Sequence, residues 1–68
     1  MNIHVNGEER KFDSESLTTF GLLEELGLQD RRVAVEVNCH IVPRTKHREH
    51  LLTEGDQVEI VQFVGGGA

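Results

Sequence analysis

The sequence VEIVQFVGGGA occupies residues 58–68 and joins a dense apolar run to three consecutive glycines. In an extended strand, Val58 and Ile60 would lie on one face, because successive side chains alternate. Val61 and Phe63 would lie on the other face, so neither face would be wholly polar. A strand that is apolar on both faces is usually central in its sheet. The run therefore predicts a central final strand, and the partner strands must come from the preceding residues.

The glycine-rich end predicts a tail that the fold does not hold. Glycine loses the most backbone freedom when it is ordered, so three in a row disfavour regular structure. We assign residues 1–63 to the folded domain and residues 64–68 to a flexible tail. When extended, the tail would reach roughly 17 Å and could enter a narrow channel on another protein. Functionless slack at a chain end is the alternative.

The first residues predict a β-hairpin. Ile3 and Val5 alternate with polar residues, which is typical of a half-buried strand. The dipeptide Asn6-Gly7 favours the positive backbone dihedral angles of a two-residue hairpin turn. The return strand is assigned to residues 8–12.

A single amphipathic helix is predicted next. Ser16 or Thr18 can cap its first turn through a side-chain oxygen, and Gly27 can end it in the left-handed conformation. Gly21 is unfavourable inside the helix by about 1 kcal/mol relative to alanine, and a close contact with a neighbouring backbone would explain it. The apolar face of the helix consists of Thr19, Leu22, Leu23 and Leu26.

The second half of the chain predicts further strands and turns. They are a strand over residues 33–37, a turn over 38–40, a short strand over 41–42, an irregular segment over 44–50 with Leu51 and Leu52 as an apolar plug, and a turn over 54–56. Strands separated by one helix indicate the α+β class, with the helix packed across a mixed sheet of four to five strands. One helix covers one face of the sheet, so the other face is a predicted partner surface unless loops cover it.

The composition excludes several functions. A domain of 68 residues with a formal net charge of −5 does not suit nucleic-acid binding, which needs clustered positive charge. The single cysteine cannot form an internal disulfide, and the first residues lack the pattern of a signal peptide. We expect a soluble, cytoplasmic monomer that contacts neither nucleic acid nor membrane. The sequence shows no paired carboxylates, nucleophile–base set or phosphate-binding loop, so no catalytic residue is predicted.

Two polar clusters have alternative interpretations. The first consists of Cys39, His40, His47 and His50, and the second of Arg44, Lys46 and Arg48. The first could hold a metal ion, but its spacing matches no zinc pattern, so solvated side chains are preferred and no metal site is predicted. The second either meets an acidic partner surface or forms a solvated loop.

Two motifs resemble those of a known family. The segment VNCHIVPR, residues 37–44, resembles the V-N-x-x-I-V-P-R stretch of the thiamine-biosynthesis sulfur carriers, the ThiS family. The segment EGDQV, residues 54–58, resembles that family's D-G-D-x-V turn into the last strand. The resemblance covers the whole chain without an evident insertion. It implies the β-grasp, or ubiquitin-like, fold of the ThiS/MoaD-type carriers.

The resemblance implies a sulfur carrier rather than an enzyme. In the family, an E1-like enzyme uses ATP to adenylate the carboxylate of the C-terminal glycine, which then becomes a thiocarboxylate. This group donates its sulfur to a biosynthetic enzyme, typically thiazole synthase. The carrier itself binds no cofactor. Because glycine has no Cβ, both faces of its carboxylate are accessible to ATP and then to a sulfur nucleophile.

The site residues follow from the same resemblance. The diglycine end of the family corresponds to Gly66 and Gly67, and Gly65 leads into it. Gly67 is thus expected to be the adenylated residue. The expected partner-docking residues are Val61, Phe63 and Val64.

Two positions depart from the family pattern. Ala68 follows the diglycine, which implies its removal by a JAMM-type metalloprotease before activation; a cloning remnant or a lost activity are the alternatives. Trimmed carriers tend to serve cysteine or homocysteine synthesis, so the sulfur acceptor is either thiazole synthase or an amino-acid sulfhydrylase. His47 stands where the family often carries an aromatic residue, and this difference is expected to affect partner contacts.

Three other functions are compatible with the sequence: a ubiquitin-like protein modifier, a non-catalytic interaction domain with an inert tail, and a metal-binding module. Lysine-linked adducts would indicate the modifier. A deletion of residues 65–68 without consequence would indicate the interaction domain, and zinc uptake would indicate the metal-binding module.

Overall fold

Short strands and one helix make up the part of the chain that the computed structural model describes, which is residues 1–63. The strands are β1 (Asn2–Val5), β2 (Glu8–Lys11), β3 (Leu17–Thr18), β4 (Val33–Val37), β5 (His40–Val42), β6 (Leu51–Leu52) and β7 (Gln57–Gln62). The helix α1 spans Thr19–Glu25, and a short 3-10 helix spans Arg44–Lys46.

The final strand is central in the sheet, as its apolar run predicts. Five strands pair in the order β2-β1-β7-β4-β5. β7 runs parallel to β1 and antiparallel to β4. The sheet is therefore mixed, and with α1 across it the fold is the predicted α+β, β-grasp arrangement.

The core lies between α1 and the inner face of the sheet. Leu22 of α1 and Ile3 of β1 are 0% exposed, and Val58 of β7 is 1% exposed. The other buried apolar residues are Val5, Leu17, Leu23, Val35, Val37, Val42, Leu52 and Ile60. Burial of this apolar surface is the main stabilising contribution, since a seven-residue helix is not stable alone.

The two ends of α1 agree with the predicted signals. The Thr18 hydroxyl accepts a hydrogen bond from the Gly21 N–H at 2.9 Å, so Thr18 rather than Ser16 is the cap. Gly27 has φ +73°, the left-handed conformation that follows a helix end. A Cβ on Gly21 would lie 3.2 Å from Leu17 Cδ1 and 3.3 Å from Thr18 Oγ1. Local side chains, and not a neighbouring backbone, therefore account for this glycine.

The structure also contains a two-stranded sheet that the sequence pattern does not predict. β3 and β6 pair antiparallel, with Leu17 opposite Leu52 and Thr18 opposite Leu51. Leu52 is 3% exposed, but Leu51 is 58% exposed, so the prediction that both leucines form a plug was wrong for Leu51. Two-residue strands are too short to show an alternation, which is why the pattern did not reveal them.

Both predicted hairpin turns use left-handed backbone conformations. Asn6 and Gly7 have φ angles of 50° and 85°, and Asn38 and Cys39 have angles of 51° and 70°. Two consecutive positive φ angles are typical of the tight turns that suit twisted hairpins. The second turn is shorter than predicted, because His40 already belongs to β5. No helix between residues 1 and 63 is long and apolar enough to cross a membrane.

Candidate functional site

The described residues contain the base of the predicted tail. Val61 and Phe63 are described, whereas Val64, Gly65, Gly66, Gly67 and Ala68 lie outside the described residues. The adenylation, trimming and tail assignments on these five residues therefore stay predictions. The structure shows how the chain is held up to Phe63.

Backbone pairing with β4 fixes the end of β7. Val61 lies opposite Ala34, and Gln62 lies opposite Val33. The Phe63 N–H then donates to the Arg32 carbonyl at 3.0 Å. The position from which the tail starts is thus set by the sheet, one residue beyond the last strand pair.

The side chain of Asn6 holds β7 on the other side. The β1–β7 register ends at Val5 and Val58. Beyond it, the Asn6 Oδ1 accepts from the Ile60 N–H at 2.7 Å, and the Asn6 amide donates to the Ile60 carbonyl at 3.1 Å. One side-chain amide thereby replaces a strand residue as the partner of Ile60. The sequence pattern predicts Asn6 only as a turn residue.

Asn38 holds the beginning of β7 in a similar way. Its Oδ1 accepts from the Gln57 N–H at 3.0 Å, and its amide donates to Asp56 Oδ1 at 3.0 Å. Asp56 also accepts from the Thr53 N–H at 2.8 Å and from the Thr53 hydroxyl at 3.0 Å. The V-N-x-x-I-V-P-R and D-G-D-x-V segments are therefore in contact through Asn38 and Asp56.

The Asp56 carboxylate is stabilised in its charged form. Asp56 is 9% exposed, and burial alone raises the pKa of its carboxyl. The hydrogen bonds from Thr53 and Asn38 outweigh burial, so this pKa lies below its ordinary value of 3.8. The turn that leads into β7 is thus held by a charge as well as by backbone bonds.

The outer face of the sheet is partly apolar and partly acidic. Val61 is 57% exposed and Ile41 is 72% exposed, which agrees with the predicted exposed apolar side chains. However, Glu59 of β7 lies directly opposite Glu36 of β4 on this face. The interpretation of β7 as apolar on both faces was therefore only half right, because carboxylates interrupt the outer face.

Phe63 lines a groove at the end of the sheet, and Val61 does not. The groove has a volume of about 730 Å³. Its lining residues are Phe20, Leu23, Gln29, Asp30, Arg31, Arg32, Val33, Arg44, Thr45, His47, Arg48 and Phe63. We call this feature the arginine groove, after Arg31, Arg32, Arg44 and Arg48. Phe63 itself is 60% exposed.

The arginine groove revises the basic cluster predicted from the sequence. Arg44 and Arg48 belong to the groove, but Lys46 does not, and Lys46 Nζ instead lies 3.4 Å from Glu49 Oε2. Arg31 and Arg32 come from the loop before β4, so the cluster joins two separate segments. The guanidinium carbon of Arg48 lies 3.9 Å from the centre of the Phe20 ring, a cation–π contact.

The cysteine and histidines of the metal alternative are not brought together. His40 Nδ1 lies 3.0 Å from the Asn38 carbonyl, and His50 Nδ1 lies 3.1 Å from the Thr19 hydroxyl. Among residues 1–63 there is no group of three or more His, Cys, Asp or Glu side chains that could hold a metal ion. The exposed thiol of Cys39 lies on the tight turn before β5.

His47 is part of the folded core. It is 5% exposed, and its Nε2 lies 3.1 Å from the Val42 carbonyl. Its carbonyl accepts from the Phe20 N–H at 2.8 Å, which joins the second half of the chain to α1. His47 also lines the arginine groove, so its expected effect on partner contacts stays a prediction.

Comparisons with known proteins agree on one family. The ThiS family model matches residues 3–67. A thiazole synthase of Paramagnetospirillum magneticum is 48% identical over 68 residues, which is 100% of this chain and 21% of that protein. The chain therefore spans about a fifth of that relative's length. The sulfur carrier protein ThiS of Bacillus subtilis is 35% identical over 65 residues, 96% of this chain and 98% of that protein.

A solved structure supports the same fold. The crystal structure of the thiamine biosynthesis protein ThiS from Geobacter metallireducens matches with a TM-score of 0.84 and 38% identity. The match covers 98% of this chain and 100% of that one.

Proposed function

The chain belongs to the ThiS family, and from this premise we propose that it is a sulfur carrier protein of thiamine biosynthesis. The observation that carries the proposal is the family match over residues 3–67, which includes both glycines of the diglycine end. The relative from Bacillus subtilis, of which 98% is covered, is itself called a sulfur carrier protein. The carrier is not an enzyme, because its partners supply the chemistry.

The proposed chemistry takes place at the carboxylate of Gly67. A carboxylate oxygen attacks the α-phosphate of ATP on an E1-like adenylating enzyme, and pyrophosphate leaves. Hydrosulfide then attacks the carbonyl carbon of the acyl-adenylate, the bond from this carbon to the AMP oxygen breaks, AMP leaves, and loss of the S–H proton gives the thiocarboxylate. Gly66 and Gly65 allow the chain to enter the active site of the partner, since neither has a side chain. ATP belongs to the partner, and the carrier needs no cofactor of its own.

The geometry at the base of the tail is compatible with delivery of Gly67. The Phe63 N–H is bonded to the Arg32 carbonyl, and the four residues that follow Phe63 end at Gly67. These residues span at most about 14 Å, so a partner that holds Gly67 must contact the end of the sheet. Val61, Phe63 and Val64 are the proposed docking residues, and the first two are more than half exposed.

The proposed sulfur acceptor is thiazole synthase. In the relative from Paramagnetospirillum magneticum, a protein called thiazole synthase contains a segment that matches this whole chain. Such a segment places a ThiS-like domain and a thiazole synthase in one protein. This observation favours thiazole synthase over an amino-acid sulfhydrylase as the acceptor.

The carboxylate of Gly67 must be free before it can be adenylated. In this sequence Ala68 follows it, so we propose that the bond between Gly67 and Ala68 is cleaved, by a protease of the JAMM metalloprotease type. The test is the intact mass of the protein purified from its own cells during thiamine limitation. We expect a chain that ends at Gly67, partly with one oxygen replaced by sulfur. A mass in which Gly67 is still joined to alanine under these conditions would contradict the proposal.

A substitution at Gly67 tests the accessibility argument. In a chain that ends at residue 67, we expect Gly67→Val to abolish ATP–pyrophosphate exchange by the adenylating enzyme, because a branched Cβ blocks the carboxylate. Gly67→Ala should retain part of the exchange and serves as the graded control. Both variants should keep the thermal unfolding midpoint of the parent chain. Normal exchange by Gly67→Val would refute the argument.

A further inference from the structure

The positive charge of this acidic protein is concentrated in the arginine groove. The chain has seven Lys and Arg residues and a formal net charge of −5. Four of the seven line the groove, and Asp30 is the only acidic residue among the residues that line it. On the outer face of the sheet, by contrast, Glu36 and Glu59 lie opposite each other. The molecule therefore has a basic end and an acidic face.

The four arginines of the groove are not neutralised within the described part of the chain. The ion pairs between residues 1 and 63 are Arg10–Glu8 at 3.7 Å and Lys46–Glu49 at 3.4 Å, and neither involves the groove. Asp30 is one carboxylate among four guanidinium groups, and bringing like charges together with so little counter-charge is unfavourable for the free protein. The arrangement is therefore suited to an anionic surface that comes from outside the chain.

The groove lies where the tail begins. Phe63 lines the groove, and its N–H is bonded to the carbonyl of Arg32, one of the four arginines. Because Gly67 is at most about 14 Å from Phe63, a protein that encloses Gly67 must also lie close to the groove. All four arginines are exposed, as expected for side chains that meet a second protein rather than enclose a small anion.

We propose that the arginine groove docks an acidic ridge of Asp and Glu side chains on the adenylating enzyme, beside the channel that takes the tail. The inference rests on the proposed function. The carrier must reach this enzyme quickly and then leave for the sulfur acceptor. Electrostatic steering meets both needs, since it raises association rates without requiring a slow release.

Charge reversal in the groove tests the proposal. The variant is Arg31→Glu with Arg44→Glu, which spares Arg48 because it packs on Phe20. The matched control is Arg10→Glu with Lys11→Glu on β2, at the far edge of the sheet, with the same change in net charge. The association rate constant of each chain with the adenylating enzyme is measured by stopped flow from low to high salt.

We expect the groove variant to associate at least about tenfold more slowly than the parent at low salt, and the difference should shrink as salt screens the charges. The control should associate at nearly the parental rate. The neutral variant Arg31→Gln with Arg44→Gln should fall between the parent and the groove variant. The unfolding midpoint of each variant shows whether it is folded. If charge reversal prevents folding, the neutral variant is compared with the parent instead.

Several outcomes would overturn the inference. One is that the groove variant and the control associate with the adenylating enzyme at equal rates. Another is that the carrier alone binds inorganic pyrophosphate at micromolar concentration and that the groove variant does not, because the groove would then be a site for a small anion. The proposed function is judged separately, by ATP–pyrophosphate exchange with the parent chain that ends at Gly67. If the parent is adenylated while the groove variant associates normally, only the docking inference fails. If the parent is not adenylated, the proposed function itself fails.

Discussion

The two asparagine turns of this protein hold the same strand by different means. Asn6 bonds the N–H and carbonyl of Ile60, in the half of β7 that leads to the tail. Asn38 bonds the Gln57 N–H at the start of β7 and also the Asp56 carboxylate. Both residues have φ angles near 50°. The turns thus share a backbone conformation but differ in whether a charge takes part.

Because of this difference, the start of β7 contributes mainly to the stability of the fold, and the end of β7 is accessible to a partner protein. At the start of β7, an amide, a hydroxyl and an N–H group surround a buried carboxylate. At the end of β7, Val61 and Phe63 are more than half exposed. The strand is therefore fixed most firmly at its start, away from the surface where a partner would take the tail. Changes at the start should alter unfolding, and changes at the tail should alter activation.

The largest effect on stability should come from a substitution in the core, and the losses caused by the two turn variants can be compared with it. Leu22 is 0% exposed and packs beneath the sheet. Leu22→Ala should lower the free energy of unfolding by about 2–5 kcal/mol, because it leaves a cavity. The measurement is urea-induced unfolding at neutral pH. A loss smaller than that of either turn variant would contradict the assignment of α1 as the main cover of the core.

The next effect concerns Asn38. Asn38→Gly keeps the positive φ angle but removes the amide, so the Asp56 carboxylate loses one donor and the Gln57 N–H loses its acceptor. We expect a loss of about 2 kcal/mol in the free energy of unfolding, since hydrogen bonds to charged groups are the stronger ones. Adenylation by the partner should be unchanged at a temperature where the variant is folded. A large defect in adenylation of the folded variant would contradict the view that the start of β7 affects stability and not activation by the partner.

The matched substitution at the other turn should cost less. Asn6→Gly also keeps the backbone conformation and carries the same entropic cost of glycine. It removes two neutral hydrogen bonds with Ile60, and we expect a loss of about 1 kcal/mol. Urea-induced unfolding of both variants side by side measures the difference. If Asn6→Gly were as destabilising as Asn38→Gly, the charge on Asp56 would not distinguish the two turns.

The smallest effect is a dependence on pH. The pKa of Asp56 lies below its ordinary value of 3.8 in the folded protein, so the unfolded chain binds the proton more readily. The stability from Asp56 is therefore complete above pH 3.8 and is lost as the pH falls through the folded-state pKa. Unfolding midpoints measured over this acidic range should decline less steeply for Asp56→Asn than for the parent. Asn38→Gly should also reduce the slope, whereas Asn6→Gly should leave it unchanged.

Regular elements of sufficient length were predictable from the sequence. The apolar run of β7 indicated a central strand, and the leucine face with its cap and stop residues indicated α1. Asn6-Gly7 indicated the first hairpin. These signals are local, since each depends on the period of side chains or on the φ angles that a residue tolerates. The resemblance to the ThiS family added the fold and the expected role of the tail.

The contacts between distant segments were not predictable in this way. β3 and β6 have two residues each, and their pairing depends on where α1 places Leu17 relative to Leu52. His47 was interpreted as a loop residue but is buried, because the segment after Pro43 folds back against α1. The arginine groove combines residues from the segment before β4 with residues from the segment after β5. No single window of the sequence contains any of these pairs.

The alternation of the strands, the amphipathic helix and the left-handed turns could be predicted from the sequence alone, because they depend on the conformational preferences of neighbouring residues. The bonds from both turn asparagines to β7 and the pairing of Glu36 with Glu59 became evident in the folded chain, since the fold decides them. The fold also decides that four arginines meet beside the base of the tail. The reason is that strand register and helix packing bring together residues that are far apart in the chain, and a local pattern contains no information on that register.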